Sequence, residues 1–158
     1  MKQGLVSVSF RELSVKEIIK LAKENNLKYI EWGGGPHVPM GNVKLARKVR
    51  SLMHGSGIKC PSYGSYYGVT YNEGEKPPLP FKQICKTAVA LGASVIRIWA
   101  GWPGCGEIDA EKERKAVIHT KMIASVAKKY NLTLAFECHW GTITEEYHRS
   151  IEEINYEI

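Results

Sequence analysis

The stretch SVIRIWAGWPGCG, residues 94–106, decides the fold expected for this chain. Its first six residues are mostly apolar and partly β-branched, with a single charge, and they predict a buried strand. A loop rich in glycine and proline ends that strand, and a helical pattern follows over residues 109–130. A strand, a loop and a helix in this order form one β–α unit, the repeating element of a parallel sheet.

The same unit occurs four more times along the chain. Apolar runs predict further strands, each followed by an amphipathic helical pattern, over residues 5–10, 29–32, 58–63 and 132–137. The first helix begins at a capping box of Ser14 and Glu17, and the last is predicted to begin near Thr142. Residues 66–80 form the longest irregular segment. The pattern therefore predicts an α/β fold with five parallel strands, each followed by a helix, in a single domain over residues 1–158.

The composition is typical of one globular domain. The chain has 158 residues, of which 44% are hydrophobic and 24% charged. Its four cysteines lack C-x-x-C spacing, which favours reduced thiols in a cytoplasmic protein over a disulfide framework. The first residues lack the apolar run of a signal peptide, and no segment reaches the roughly 20 apolar residues of a membrane span. We therefore expect no membrane association.

The formal net charge of +6 raises the question of an anionic partner. The lysines and arginines are spread over the outer faces of the predicted helices, an arrangement typical of a solvated surface. A nucleic-acid interface would concentrate them in one basic stripe, and the sequence contains no such stripe. Nucleic acid is therefore the less favoured partner.

Polar residues cluster where the predicted strands end, which is where parallel α/β folds bind their ligands. Glu137 ends the fifth strand, where its carboxylate could bind a divalent metal, act as a general base, or pair with Arg97 on the neighbouring strand. His139 could bind metal, orient a substrate hydroxyl, or cap the next helix. Arg97 itself interrupts an apolar strand, so it needs an anionic partner, either Glu137 or a substrate group.

The second, third and fourth strands supply further candidates for contact with substrate. They are Glu31, Trp32, His37, Tyr63 and Trp99. His37 lies in the stiff segment GPHVP, and the tryptophans could line a sugar-binding cleft, although core packing explains them nearly as well. The run of three glycines at residues 33–35 is not a dinucleotide fingerprint, and the sequence contains no G-x-S-x-G nucleophile elbow.

Four segments, LVSVSFRELSVKEIIKLAKENNLKYIEWGGGPHVP, SYGSYYG, LGASVIRIWAG and LAFECHWGTIT, occur in order from residue 5 to about residue 150. Together they resemble the sugar-phosphate isomerase/epimerase family, whose fold is the xylose isomerase-like TIM barrel. The resemblance implies a (β/α)8 barrel that holds a divalent metal (Mn, Mg, Co or Zn) at its mouth. It also implies that the substrate is a sugar or sugar phosphate, such as a ketose or a polyol. The reaction would then be a proton transfer through an enediolate.

The resemblance also implies roles for individual residues. Glu137 matches the glutamate of the fifth strand that ligates the metal, and His139 matches a nearby position that faces substrate. The remaining matches border the pocket or form its wall, and they are Glu31, His37, Arg97 and Trp99. The predicted catalytic pair is therefore Glu137 and His139, with Glu137 as the metal ligand.

The chain departs from the family in length, because a complete barrel of this kind takes about 250 residues and only five β–α units are predicted here. We therefore expect a partial barrel, the amino-terminal part of an isomerase or epimerase, with too few metal ligands of its own. A second chain or a second copy is then expected to complete the mouth. Two alternatives stay open: a non-catalytic fragment that self-associates through its open sheet edges, and, less favoured, an apurinic endonuclease-like repair protein.

Overall fold

The computed structural model describes residues 3–71, 77 and 79–145, and within them the chain forms one parallel sheet with helices. The strands are β1 (Gly4–Val6), β2 (Tyr29–Gly33), β3 (Ser62–Gly68), β4 (Val95–Trp99) and β5 (Thr133–Glu137). The helices between them are α1 (Val15–Glu24), α2 (Val43–His54), α3 (Phe81–Leu91) and α4 (Ala110–Lys128). Each strand pairs in parallel with the next in chain order, so the prediction of alternating strands and helices around a parallel sheet is confirmed.

Local sequence signals set the ends of the helices. The capping box before α1 is present, because Ser14 Oγ accepts from the Glu17 amide and Glu17 Oε2 accepts from the Ser14 amide. The side chain of Asp109 caps α4 in the same sense, and it accepts from an amide in the first turn. Helix α3 ends at Gly92, whose φ of 84° is accessible to glycine at little steric cost.

The main hydrophobic core lies between the sheet and the layer of helices. Alternate strand residues and one stripe of each helix fill it, including Ile18, Ile30, Trp32, Val49, Met53, Ile84, Ile96, Ile98 and Ile123. Basic residues cover the opposite, outward faces of the helices, including Lys16, Lys20, Lys44, Lys48, Lys121 and Lys128, all exposed. None of the helices in the described residues combines the length and the apolarity that a membrane crossing requires.

Strand β1 is shorter than predicted, since it ends at Val6 and the chain then forms a 3₁₀ turn over Ser7–Phe10. The turn is held in place by Ser7, whose buried hydroxyl accepts a 2.9 Å hydrogen bond from the Gly33 amide at the end of β2. A side chain on Gly33 would collide with Val8 of this turn. The alternating pattern of residues 5–10 therefore continues past the point where the ladder stops.

Strand β3 begins later than predicted and extends through residues that were expected to form a loop. Residues 58–60 run beside β2 through a single bridge, Tyr29 with Lys59, and the ladder resumes only after Pro61. A proline has no amide hydrogen to donate, so the ladder pauses there. The strand continues to Gly68, so Tyr66 and Tyr67 lie within it.

The final predicted helix, with Tyr147, Ile151, Ile154 and Ile158 on its apolar face, lies outside the described residues.

Candidate active site

The inner face of the sheet, the face turned away from the helices, carries the charged side chains. On β4, Ile96 and Ile98 are fully buried against the helices, so Arg97 between them points to the inner face. Glu137 at the end of β5 lies directly opposite Trp99 of β4 in the ladder. The parallel register therefore brings side chains from separate strands to one rim.

Arg97 joins two carboxylates, Glu31 of β2 and Glu137 of β5. Its Nε lies 2.9 Å from Glu31 Oε1, and its Nη1 contacts Glu137 Oε2. Ser62 donates its hydroxyl to the other oxygen of Glu31. The side chains of Glu31, Arg97 and Glu137 are 14%, 20% and 31% exposed, so all three charges lose hydration. The charge-assisted hydrogen bonds between them offset that loss. We call these three residues the inner triad.

Gly64 provides the space in which the inner triad forms. It lies on β3, between β2 and β4, and it is aligned with Gly33 on one side and Arg97 on the other. A Cβ atom on Gly64 would lie 2.5 Å from Arg97 Nη2 and 2.9 Å from Glu31 Oε1. The absence of a side chain therefore lets Arg97 reach across a whole strand to Glu31.

Aromatic side chains surround the Glu137 end of the inner triad. Trp99 donates its indole N–H to Glu137 Oε2 at 2.5 Å, and His139 stacks on the same indole ring at 4.6 Å with an angle of 28° between the planes. Tyr66 and Trp102 meet Trp99 edge-on at 5.6 and 5.2 Å. A flat aromatic wall thus adjoins a carboxylate, an arrangement suited to the apolar faces and hydroxyl groups of a small polyol.

The hydrogen bonding of His139 fixes its tautomer. Nδ1 lies 2.7 Å from the carbonyl oxygen of Trp140, and a carbonyl only accepts, so Nδ1 carries the hydrogen. In the neutral ring, Nε2 then bears the lone pair. His139 can therefore act through Nε2 as a base, as a hydrogen-bond acceptor or as a ligand.

Three residues predicted to contact substrate lie elsewhere. Trp32 and Tyr63 are fully buried on the helix side, where Trp32 donates to Met53 Sδ and Tyr63 donates to the Val38 carbonyl. Burial raises the pKa of Tyr63 well above its ordinary value. His37 is 5% exposed and lies edge-on to Trp32, with Nε2 donating to a backbone carbonyl. Strand alternation turns Trp32 and Tyr63 to the helix side, and His37 is buried in the loop after β2, so none of the three lies with the residues of the inner face.

Glu145 connects two loops beside the site, and it was not among the predicted site residues. Its Oε1 accepts from the Cys105 amide at 3.0 Å, and its Oε2 accepts from the Gly141 amide at 2.8 Å. The hydrogen bond from Gly141 first, and then those from the Cys105 thiol and amide, hold the pKa of Glu145 below its ordinary value. Glu145 thereby ties the loop after β4 to the loop after β5, which carries His139.

The described residues do not by themselves form a metal centre. Nowhere among them do three or more histidine, cysteine, aspartate or glutamate side chains converge as ligands. Glu137, the predicted ligand, has its Oε2 engaged by both Arg97 and Trp99. Hard divalent ions take about six donors, so Glu137 and His139 together would be too few.

Comparison with known proteins agrees with this fold. The sequence model of the xylose isomerase-like TIM barrel matches residues 19–157. The chain belongs to this family. The resemblance expected from the sequence is thereby confirmed, and the five-stranded sheet with its helices is compatible with part of such a barrel.

Individual relatives are distant in sequence and longer than this chain. A 3-dehydroshikimate dehydratase of Bacillus anthracis is 22% identical over 157 residues, which cover 96% of this chain and 56% of that protein. The structure of the IolI protein with a bound zinc atom superposes with a TM-score of 0.76, at 15% identity over 98% of this chain and 58% of that one. A xylose isomerase-like TIM barrel protein from Mycobacterium smegmatis in complex with magnesium gives 0.73 at 12% identity, covering 97% and 60%. The chain thus spans little more than half the length of these relatives.

Proposed function

We propose that the inner rim forms part of the active site of an enzyme that moves a proton at a carbon next to a carbonyl group, in a small hydroxylated substrate. The support that carries the proposal is the arrangement of Glu137 and His139 around the Trp99 ring, with Glu137 at the indole N–H and His139 stacked on the ring face. His139 offers the Nε2 lone pair as a base, and Glu137 offers a carboxylate within the same aromatic enclosure. Isomerisation or epimerisation of a ketose, a polyol or a sugar phosphate is the reaction class that we favour.

Dehydration is the second candidate, and the match to a 3-dehydroshikimate dehydratase favours it. Removal of a proton next to a carbonyl is the shared first step, and the two reactions differ in whether a hydroxyl group then leaves. The distinction depends on the substrate that the rim accepts. Loss of water extends conjugation and creates ultraviolet absorbance, whereas isomerisation of a ketose does not.

A divalent metal is found in relatives, with zinc in one and magnesium in another. Within the described residues such a site is not complete, and in this proposal Glu137 and His139 are the groups that hold and move the proton. In the described residues, β1 and β5 each pair with one neighbour only, which leaves backbone groups open along one side of each. We further propose that another polypeptide segment, from this protein or from a second copy of it, pairs with these strand edges and adds residues to the rim that carries Glu137 and His139.

Proton exchange with solvent tests the proposal directly. The chain is incubated in D₂O with a divalent metal and with a ketose or 3-dehydroshikimate, and deuterium entry next to the carbonyl is followed by NMR, with ultraviolet absorbance for dehydration. Exchange that is lost in Glu137→Gln and His139→Gln but retained in the surface variant Lys82→Ala is the expected result. Equal exchange in all four proteins would refute the assignment, and so would exchange no faster than in buffer.

A further inference from the structure

Two neighbouring helices, α2 and α3, carry positive charge and no negative charge. Neither contains an aspartate or a glutamate, and the two pack against each other on the outside of the sheet. Their basic residues are all exposed, and they are Lys44, Arg47, Lys48, Arg50, Lys82 and Lys86. Within the described part of the chain, none of these cations forms an ion pair with a carboxylate. Packing therefore brings onto one face charges that the sequence distributes over separate helices.

A groove of about 800 Å³ lies between these two helices, and cations line both of its sides. Arg47 and Arg50 line it from α2, and Lys86 lines it from α3. Aliphatic side chains lie among these charges, including Val43 and Val89, and Val89 is 41% exposed. The groove therefore combines an apolar surface with positive charges on opposite sides, and its volume lies within the range of ligand-binding clefts.

Arg50 is held in place by the end of α3. A Cβ atom on Gly92, the residue that ends α3, would lie 3.1 Å from Arg50 Nε and 3.3 Å from Arg50 Cζ. The last turn of a helix carries partial negative charge on its unpaired carbonyl groups, which favours a cation at this place. The guanidinium is therefore ordered before a partner arrives, and this decreases the entropy that binding costs.

We propose that this groove binds an acidic helical segment of a partner protein. Carboxylates of the segment pair with Arg47 and Arg50 on one side and with Lys86 on the other, and an aliphatic side chain between them covers Val89. The aliphatic lining favours a polypeptide over single-stranded nucleic acid, which stacks its bases on aromatic rings. Among the described residues that line the groove, Tyr130 alone is aromatic. The groove lies on the helix layer and not on the inner face, so the inference is independent of the proposed function.

Fluorescence anisotropy with a labelled synthetic peptide tests the charged part of the groove. The peptide is an amphipathic helix in which leucine recurs every three or four residues and glutamate fills the other positions. We expect Arg47→Glu with Lys86→Glu to bind it at least about tenfold more weakly than wild type, because like charges then face each other across the interface. The matched control, Arg114→Glu with Lys121→Glu, makes the same change of charge at exposed positions of α4 and is expected to bind like wild type.

Val89→Ser tests the apolar part of the groove. This side chain is exposed, so the variant is expected to fold, and circular dichroism verifies the fold of every variant. We expect the peptide affinity to fall about fourfold for each methyl group of Val89 that the peptide buries.

Oligothymidylate and phosphatidylserine vesicles, titrated in parallel, test the class of partner. Tighter binding of either of them than of the peptide would overturn the assignment to an acidic protein segment. So would failure of the wild-type chain to bind the peptide, an equal loss of affinity in the two charge-reversed proteins, or an affinity that Val89→Ser leaves unchanged.

Discussion

Replacing Gly64 with alanine places a methyl group in the space that the inner triad occupies. The new carbon would lie 2.5 Å from Arg97 Nη2, 2.9 Å from Glu31 Oε1 and 3.2 Å from Arg97 Cζ. All three distances are shorter than an ordinary van der Waals contact, so the Glu31–Arg97 ion pair must separate or shift. Overpacking of this kind costs about 1–3 kcal/mol in the free energy of unfolding.

Urea denaturation followed by tryptophan fluorescence measures that cost. With a slope of about 2 kcal/mol per molar urea, the middle of the usual range, the midpoint is expected to fall by about 0.5–1.5 M. Gly106→Ala is the matched control, because no atom lies within 4 Å of its added carbon and the glycine has no positive φ. We expect that control to change the midpoint little.

A double-mutant cycle shows whether the cost arises from the ion pair. In the background of Arg97→Met, the methyl group of Gly64→Ala no longer meets a guanidinium, so the additional destabilisation is expected to shrink by about half or more. An equal cost of Gly64→Ala with and without Arg97 would refute the role that we assign to this glycine. So would a cost no larger than that of Gly106→Ala.

Three further predictions concern the loops, the thiols and the core. Glu145→Gln is expected to increase amide hydrogen exchange in the two loops that Glu145 joins. Because the pKa of Glu145 is lowered in the folded protein, the wild-type loops are expected to be protected from exchange above pH 4.5, the ordinary pKa, and to lose that protection as the pH falls below this value. In the folded protein a thiol reagent is expected to modify the exposed Cys138 before the buried cysteines. Burial raises the pKa of Cys60 from 9.0 to about 12, so the free energy of unfolding is expected to fall as the pH rises through that interval. Denaturation at several pH values measures this fall. Trp32→Phe is expected to cost about 1–3 kcal/mol in urea denaturation, because it removes volume and the donor to Met53; an unchanged midpoint would contradict this.

The sequence sufficed to predict the order of the elements, because that order depends on patterns that are local. The capping box at Ser14 and the glycine after α3 are properties of a few neighbouring residues. The start of β3 is different, because it depends on which backbone groups of β2 and β4 find partners. The paired strands determine that residues 58–60 form one bridge only, and a single strand considered alone cannot reveal this.

The candidate site was predictable in part. The pairing of Glu137 with Arg97 was one of the predicted alternatives and is present in the structure. Glu31 and Trp32 were both predicted to face substrate, but they are neighbours in β2, and the structure turns Glu31 to the inner face and Trp32 to the helix side. The contact of Arg97 on β4 with Glu31 on β2 crosses the intervening strand β3 and depends on Gly64 there, so its prediction requires the register of three strands.

The separation of charge between the outside of the helices and the inside of the sheet has a practical consequence for solution work. Dissolved salt screens exposed charges over about 8 Å at physiological ionic strength but acts much less on partly buried, hydrogen-bonded ones. The exposed lysines of the helices will therefore lose their influence on solubility and on encounter with anions as salt is added. Arg97 and its two carboxylates will respond far less, so ionic strength can be varied to improve the behaviour of the sample while the rim stays intact.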